Sequence, residues 1–343
     1  MRIIQSSNPF KAATAITVGK FEALHLGHIR LIEATVEYAR SKNLAHAEEF
    51  TLSEEFAPFK EFALSKEFTH PKEFAPSKNL APTVLSFTPH PAQVLSDKKY
   101  DPLFSSREQA LLLAEYGIDY WIPYPFDKSV AQLTPKAFCQ LLQTQFHCKA
   151  LLVGEGFRFG YNREGTPQTL YTLGQQLGIE VITIPHSQFE NEEKISTSQI
   201  RTYLAEGRIR EANKLLGRPF LIIGTVLKGR QLGRTIGFPT ANIHPADDKF
   251  LPPDGVYAAK ITIKGQKKAG VTNIGINPTI ISGQTRKVET HIFDFDTDIY
   301  GEEVLVELYA FIRPERTFSG IEELGKQIAA DAREARKVLA ANE

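Results

Sequence analysis

The sequence has few cysteines, no excess of positive charge and no long apolar run. Two cysteines, Cys139 and Cys148, are too few for a disulfide framework or a cysteine-rich metal site. The 40 basic side chains equal the 40 acidic ones, so no broad basic field exists for a nucleic-acid backbone. No apolar run approaches the roughly 20 residues that cross a bilayer. Residues 1–11 do not resemble a secretory signal. We therefore predict a cytoplasmic chain with no nucleic-acid partner and no membrane association, and we infer no obligatory protein partner.

The chain is long enough for two domains, because 343 residues is about twice the usual domain size. From about residue 15 to residue 185, β-rich runs alternate with helical stretches, which predicts a parallel sheet with crossover helices. After residue 185, long alternating strands follow one another with few helices, which favours an antiparallel barrel. Helical spacing of apolar residues predicts a final helix over 319–339. We predict an α/β domain over 1–187, linker helices over 188–217 and a β-barrel domain over 218–343.

A six-residue repeat interrupts the first domain. Large apolar residues recur every six residues, mostly in the frame Glu-Phe-Ala/Thr-x-x-Lys, at Phe50, Phe56, Phe62, Phe68, Phe74 and Leu80. This period fits neither a helix face nor a solenoid, and several prolines would interrupt a helix. We predict that residues 46–82 are a mobile or partly extended insertion, away from the carboxyl ends of the strands and dispensable for chemistry. A partner-binding arm that uses the spaced phenylalanines is the alternative.

The first predicted strand runs into a turn and then a helix that carries two histidines. The segment from Gly19 to His28 reads Gly-Lys-Phe-Glu-Ala-Leu-His-Leu-Gly-His. A strand end that feeds a helix N-terminus presents amides and the positive end of the helix dipole, so His25 and His28 are candidates to bind phosphate. The glycines of a dinucleotide fingerprint are missing. A structural turn with partly buried histidines, or a zinc site that lacks nearby further ligands, are the alternatives.

Polar or glycine-rich segments follow other predicted strands. They are Pro-His-Pro around His90, the glycine-rich segment 154–160 that contains Phe157, and the hydroxyl-rich segment 196–201 that ends in Arg201. Since the carboxyl ends of parallel strands meet at one edge of a sheet, we expect these segments to converge on one site. The 196–201 segment suits phosphate oxygens, although an ordinary helix N-cap explains Ser196 equally well.

The second half contains a glycine-rich loop and a candidate carboxylate. The loop, residues 224–237, has four glycines and three basic side chains but lacks the ending of a P-loop. Its backbone amides are suited to phosphates, and Thr240 and Asn242 offer hard oxygens suited to magnesium. Strand alternation places Glu289 on the face opposite its two neighbours, where it would point into a site. A flexible hairpin loop and a surface glutamate are the alternatives.

In order, these motifs resemble those of the bacterial bifunctional riboflavin kinase/FMN adenylyltransferase family, also called FAD synthetases. The family's Gly-x-Phe-Asp-Gly-x-His-x-Gly-His is similar to residues 19–28. Its Pro-His-Pro, Gly-x-x-Phe-x-Phe-Gly, Ser/Thr-rich Ile-Arg, Gly-Phe-Pro-Thr-Ala-Asn, Asn-Pro-Thr and Arg-Pro-Glu motifs are similar to residues 89–91, 154–160, 196–201, 237–242, 277–279 and 313–315. The resemblance covers nearly the whole chain outside residues 46–82.

The resemblance implies a Rossmann-like FMN adenylyltransferase domain followed by a β-barrel riboflavin kinase domain with a C-terminal helix. It implies that ATP phosphorylates the ribityl 5′-hydroxyl of riboflavin to give FMN. A second ATP then adenylylates FMN to FAD, with release of pyrophosphate. Both reactions would use Mg²⁺, with riboflavin, FMN and ATP as the binding partners.

The resemblance also implies roles for single residues. Glu289 would be the general base of the kinase, and Thr240 and Asn242 would hold the metal. His25, His28 and Arg201 would act on the triphosphate in the adenylyltransferase reaction. The implied nucleotide- and flavin-binding residues are Gly19, Phe21, Gly27, His90, Phe157, Ser196, Thr197, Ser198, Gly229, Gly233, Gly237 and Asn277.

The first half departs from the family pattern at three positions. Glu22 stands where the family has Asp, Ala23 where it has Gly, and Gly156 where it usually has Asn or Asp. A riboflavin kinase with a weak or inactive adenylyltransferase domain is therefore the nearest alternative. A flavin- or nucleotide-binding regulator without turnover, and a nucleotidyltransferase for another phosphorylated alcohol, are the others.

Overall fold

The computed structural model describes residues 1–4, 12–44, 80–95, 100–185, 195–229, 237–276 and 286–341. The chain divides into two compact units. The first comprises Met1–Lys20, His28–Lys98 and Leu112–Asn191, and the second comprises Phe21–Gly27, Lys99–Leu111 and Glu192–Glu343. Two short stretches of the first half thus belong to the second unit. The predicted limits 1–187, 188–217 and 218–343 stay a prediction, and most of the predicted insertion lies outside the described residues.

The first unit is built on a six-stranded parallel sheet with the order β1-β4-β3-β2-β5-β6. Central strand β2 is buried along its whole length, as expected for a strand covered on both faces. The strands are β1 (Arg2–Ile3), β2 (Thr14–Val18), β3 (Ala81–Thr88), β4 (Tyr120–Pro125), β5 (Cys148–Gly154) and β6 (Glu180–Ile184).

Among the residues that the structure describes, six helices lie between these strands in the sequence. They are α1 (Leu26–Leu44), α2 (Pro91–Leu95), α3 (Ser106–Glu115), α4 (Lys128–Ala131), α5 (Pro135–Phe146) and α6 (Pro167–Leu177). Threonine caps start α5 and α6, since Thr134 and Thr166 each accept a backbone N–H at 3.2 Å. Gly178 ends α6 in the left-handed conformation at φ 67°.

The second unit contains a closed antiparallel barrel with the order β10-β11-β8-β7-β12-β9. Its strands are β7 (Phe220–Leu227), β8 (Thr240–Pro245), β9 (Gly255–Ile263), β10 (Gln266–Ile276), β11 (Arg286–Ile292) and β12 (Glu303–Pro314). Helices α7 (Thr197–Ala205) and α8 (Ile209–Leu216) precede the barrel, and α9 (Ile321–Ala340) follows it. Lys264 and Gly265 turn the β9–β10 hairpin with φ of 48° and 80°, the geometry of a primed turn.

Helix α9 packs on the barrel through an apolar stripe and a nearly buried ion pair, and Arg336 adds an exposed pair with Asp294. Ala335, Val338 and Leu339 join a buried cluster with Val256 of β9. Arg313 of β12 donates to the nearly buried carboxylate of Asp331 at 2.7 Å.

The predicted fold class is confirmed: a parallel sheet, a closed antiparallel barrel and a C-terminal helix. No strand was predicted between residues 227 and 254, whereas Thr240–Pro245 form strand β8. In the part of the chain that the structure describes, no helix is long and apolar enough to cross a membrane.

Candidate functional site

Glu289 lies between two asparagines on the outer face of the barrel. In the strand register, Glu289 of β11 stands opposite Asn242 of β8 and Asn273 of β10. Its neighbours Val288 and Thr290 are fully buried, and alternation along the strand therefore turns Glu289 outward. One carboxylate and two amides thus share one face, across three adjacent strands.

The surroundings of Glu289 favour its protonated form more than water does. Burial raises the pKa of Glu289 above its usual range, and the nearby Glu315 carboxylate raises it further. Lys287 acts in the opposite direction. Asn273 holds Glu315 through an Nδ2–H donated to Oε1 at 2.8 Å. A carboxylate with a raised pKa is a stronger base than an ordinary surface glutamate.

Thr240 and Asn242 lie two residues apart on β8, on the same face as Glu289. A side chain at Gly229 would overlap the Asn242 amide, so the glycine lets the backbone of the loop approach Asn242 closely. Among the described residues no group of three or more His, Cys, Asp or Glu side chains is placed to hold a metal. The hydroxyl and amide oxygens of β8 are nevertheless hard donors that fit Mg²⁺ bound together with phosphates.

Two cavities open beside this face within the second unit. One of 330 Å³ is lined by Thr240, Asp298 and Tyr300, among others. The other, of 470 Å³, is lined by Gly237 and Phe238 on one side and by residues of α9 on another. Both volumes lie in the range of small-molecule sites. The predicted binding residues Gly233 and Asn277 lie outside the described residues.

A tightly buried turn precedes α1. Phe21 and Leu24 are 1% and 0% exposed and both have φ of 44°, the left-handed region that is unfavourable for residues other than glycine. Ala23, which replaces the family's glycine, is not one of the left-handed residues, so its side chain adds no backbone strain. The buried carboxylate of Glu22 forms an ion pair with Arg201.

Arg201 has several partners in the second unit. Besides its pair with Glu22, it donates to the carbonyl of Asp101 at 2.9 Å. Its guanidinium lies 4.8 Å from the ring centre of Tyr100 and 5.3 Å from that of Phe250. Glu22 has one methylene more than the Asp that the family has at this position, and its carboxylate still forms an ion pair with Arg201. The predicted action of Arg201 on a triphosphate stays a prediction.

His25 follows this turn and is only 8% exposed. Burial lowers the pKa of His25 to about 4, and the positive charge of Arg218 contributes to the lowering. The imidazole is therefore neutral near pH 7 and has a single N–H to donate. His28 lies in the first turn of α1.

In the first unit, three predicted binding residues follow the carboxyl ends of adjacent strands β2, β3 and β5. The N–H of Gly19 donates to Leu85 at 3.2 Å, and Nδ1 of His90 accepts from the N–H of Ala92 at 3.2 Å. Phe157 stacks on core residue Phe159, with 5.5 Å between ring centres. The sheet thus brings these loops to one edge.

Ser196 is the N-cap of α7, and its hydroxyl accepts the N–H of Gln199 at 3.2 Å. The N-cap alternative therefore describes Ser196 in this structure. Thr197 is half-buried and Ser198 exposed in the first turn of α7. Phosphate binding by these three residues stays a prediction.

Three residues of the candidate sites were not among the predicted site residues: Asn273, Glu315 and Arg218. Glu315 occurs in the Arg-Pro-Glu motif of the sequence, whereas only the β10–β11 register brings Asn273 opposite Glu289. Arg218 contacts the turn before α1, nearly 200 residues earlier in the sequence.

Comparisons with known proteins agree with the two-domain organisation. The family model for riboflavin kinase matches residues 216–339, and the model for FAD synthetase matches residues 66–199. A bifunctional riboflavin kinase/FMN adenylyltransferase of Listeria monocytogenes is 36% identical over 327 residues, which cover 95% of this chain and 92% of the relative. A protein of the same name from Escherichia coli K12 is 35% identical, with 94% and 91% covered.

A solved structure, described as a macrolide-efflux protein from Streptococcus pneumoniae, superimposes with a TM-score of 0.76 at 27% identity. The match covers 97% of this chain and 98% of that one, so the two share their fold along their whole length. The sequence relatives share both matched domains and their order. The chain belongs to the bifunctional riboflavin kinase/FMN adenylyltransferase family.

Proposed function

We propose that this protein phosphorylates riboflavin to FMN and adenylylates FMN to FAD, with ATP as the second substrate in both reactions. The observation that carries the proposal is the position of Glu289 between Asn242 and Asn273, on a barrel face where Thr240 and His291 line two ligand-sized cavities. A binding protein without turnover has no need of a partly buried carboxylate with a raised pKa on that face.

In the kinase reaction, Glu289 accepts the proton of the ribityl 5′-hydroxyl while that oxygen forms its bond to the γ-phosphorus of ATP. The bond between this phosphorus and the β,γ-bridging oxygen breaks, and ADP leaves. The carboxylate orients the hydroxyl before transfer and removes its proton as charge develops. The close approach of Gly229 to Asn242 places the backbone of Gly229 next to β8, where its amide is suited to a phosphate.

The hydroxyl of Thr240 and the amide oxygen of Asn242 would hold Mg²⁺. The ion would supply neutralisation of the phosphate charge. Thr240 lines the 330 Å³ cavity, where its hydroxyl is also available to a bound nucleotide.

In the adenylyltransferase reaction, a phosphate oxygen of FMN forms a bond to the α-phosphorus of ATP, and pyrophosphate leaves. The attacking phosphate is already ionised, so the protein positions the reactants and balances charge rather than removing a proton. We assign this work to His25, His28, Ser196, Thr197 and Arg201. His25 acts as a neutral hydrogen-bond donor, because its pKa lies well below 7.

The flavin requires apolar and aromatic walls. Phe157, which stacks on Phe159, offers one such surface in the first unit, and Phe238 beside α9 offers another in the second.

A cytoplasmic location also belongs to the proposal. Cys139 and Cys148 are both free and buried, which suits a reducing compartment.

Chromatography of flavins tests both activities. Purified protein is incubated with ATP and Mg²⁺ and with either riboflavin or FMN, and we expect FAD from both reactions. FMN that accumulates without FAD would support the kinase with an inactive adenylyltransferase domain. Unchanged riboflavin and unchanged FMN would contradict both activities and favour the binding protein.

A further inference from the structure

Arg218 is the first residue after the turn that ends α8. Gly217 closes the helix with φ of 70°, and β7 begins two residues after Arg218. The guanidinium Nη1 donates to the carbonyls of Leu216 and Leu24, at 3.2 Å and 2.8 Å. Nη2 donates to the carbonyl of Ala23 at 3.1 Å. One planar group thus joins the end of α8 to two consecutive peptide groups of the turn before α1.

Those two hydrogen bonds determine how the peptide groups of the turn are oriented. In a trans peptide, the carbonyl and the following N–H point to opposite sides. When Arg218 binds the carbonyls of Ala23 and Leu24, it directs the N–H groups of Leu24 and His25 away from itself. The turn needs such support, because the left-handed φ of Leu24 is unfavourable for a residue with a branched side chain.

Arg218 is itself held firmly. Its guanidinium lies 5.2 Å from the ring centre of Phe104, which is fully buried. The ammonium of Lys249, which pairs with Glu108, lies 4.7 Å from the centre of the same Phe104 ring and helps to hold that ring in place. A rigid fork on a rigid support positions its targets with little loss of side-chain entropy.

We propose that Arg218 is a positioning residue for FMN adenylylation: it fixes the carbonyls of Ala23 and Leu24 and thereby the placement of His25 at the start of α1. The inference rests on the proposed adenylyltransferase function and deepens it. Arg218 lies two residues before the first strand of the kinase barrel, yet the proposal gives it a role in FMN adenylylation. Arg218 itself does not bind substrate in this proposal.

The test uses the full-length protein and three variants, Arg218→Gln, Arg218→Lys and Arg208→Gln. Arg208 is the matched control, because it precedes the same helix and its guanidinium contacts the exposed carboxylates of Glu206 and Glu211 and the ring of Tyr203. Initial rates of FMN adenylylation and riboflavin phosphorylation are measured against each substrate, together with the melting temperature of each protein.

For Arg218→Gln we expect kcat of adenylylation to fall by about 100-fold, as for a reactive group displaced by about 1 Å. KM for ATP and FMN, and both constants of the kinase, should stay within about threefold of wild type, which separates positioning from binding. Arg218→Lys keeps one charge but loses the planar fork, so it should recover part of the lost rate. Arg208→Gln should match wild type.

Wild-type adenylylation by a folded Arg218→Gln protein would overturn the inference. So would equal losses of both activities that follow the melting temperature, since they would indicate a purely structural role. If Arg218→Gln does not fold, Arg218→Lys decides the question by the same comparison of the two reactions. Absence of FAD with the wild-type protein would instead refute the proposed adenylyltransferase function.

Discussion

Asn43 and Leu80 are joined by two hydrogen bonds although 37 residues separate them in the sequence. The backbone N–H of Leu80 donates to Oδ1 of Asn43 at 2.6 Å, and Nδ2 of Asn43 donates to the Leu80 carbonyl at 3.0 Å. Asn43 lies in the last turn of α1, and Leu80 directly precedes β3. The two ends of the segment that contains most of the six-residue repeat therefore meet within the first unit.

This pairing predicts that the repeat can be removed without loss of the fold. Deletion of residues 49–78 leaves six residues between Asn43 and Leu80, enough to close a short loop. Shortening the loop lowers the entropy cost of closing it. We expect both flavin activities to stay within about threefold of wild type, since the described catalytic candidates lie elsewhere. Activity assays on the soluble deletion protein check this, and collapse of either activity would contradict it.

Replacement of Asn43 tests the pairing itself. Asn43→Ala leaves the backbone groups of Leu80 without this partner, and we expect a loss of about 1–3 kcal/mol in the free energy of unfolding. Ser41→Ala is the control, because the Ser41 hydroxyl makes one exposed bond to Tyr38. Urea denaturation measures both. Equal stability of the two variants would show that the pairing contributes nothing.

Glu289→Gln should separate the two reactions. It retains the shape of the side chain but removes the base, so we expect riboflavin phosphorylation to fall by about 100-fold or more. Adenylylation of added FMN should remain within about twofold, because Glu289 belongs to the kinase face. Rates with riboflavin and with FMN as the starting flavin check this. Retained phosphorylation would refute the assignment of Glu289 as the base.

Two neighbours of Glu289 predict opposite shifts in the pH dependence of the kinase. Only the ionised carboxylate accepts a proton, so the rate falls as the pH drops through the pKa of Glu289. Lys287→Gln removes a charge that lowers this pKa, and the acid limb should move to higher pH. Glu315→Gln removes a charge that raises it, and the limb should move to lower pH. Shifts in the same direction would contradict the proposed electrostatics.

Local chemistry in the sequence predicted much of the fold. The spacing of Ser105 and Glu108 in the sequence is typical of a capping box, and in the structure the N–H of Ser105 donates to Glu108 at 2.7 Å. The alternation around Glu289 also predicted its outward face correctly. Strand β8 was missed because turn residues, Gly237 and Pro239, directly precede it, whereas pairing with β7 and β11 decides its structure.

Contacts between residues that are far apart in the chain could not be predicted from the sequence. Nothing near Arg218 in the chain indicates that it binds the carbonyls of Ala23 and Leu24. Similarly, Glu108 reads as a helix-capping residue, yet it also pairs with Lys249. Such partners depend on the packing of the whole unit rather than on local pattern.

The buried pair of Lys249 and Glu108 predicts a strong dependence of stability on both residues. Their charged atoms are 2.8 Å apart and both side chains are 0% exposed. Glu108 also accepts the N–H of Ile223 in β7 at 2.8 Å. Lys249→Met would leave the Glu108 carboxylate without its cation, and we expect a loss of about 3–5 kcal/mol in the free energy of unfolding.

The exposed pair of Lys264 and Glu302 supplies the control. Its charged atoms are 3.0 Å apart, but the side chains are 66% and 38% exposed. Lys264→Met should therefore cost less than about 1 kcal/mol. Chemical denaturation of both variants compares them directly, and equal losses would show that burial does not govern the contribution of these pairs.

His25 predicts a component of the pH dependence of stability. Its pKa is about 4 in the folded protein, chiefly because of burial and also because of Arg218, against 6.5 for an ordinary histidine. As the pH falls below 6.5, the unfolded chain therefore takes up a proton that the folded protein does not. Folding stability should decrease, by about 2 kcal/mol at pH 5 from this residue alone.

NMR titration of the His25 imidazole tests the lowered pKa directly. Arg218 opposes protonation, while the Glu22 carboxylate on the same turn is paired with Arg201. We expect the His25 resonances to stay those of a neutral ring down to about pH 5, and Arg218→Gln to raise the pKa. The stability of a His25→Asn protein should fall less than that of wild type between pH 7 and pH 5. A wild-type His25 that titrates near its ordinary pKa would contradict the buried, neutral donor proposed for adenylylation.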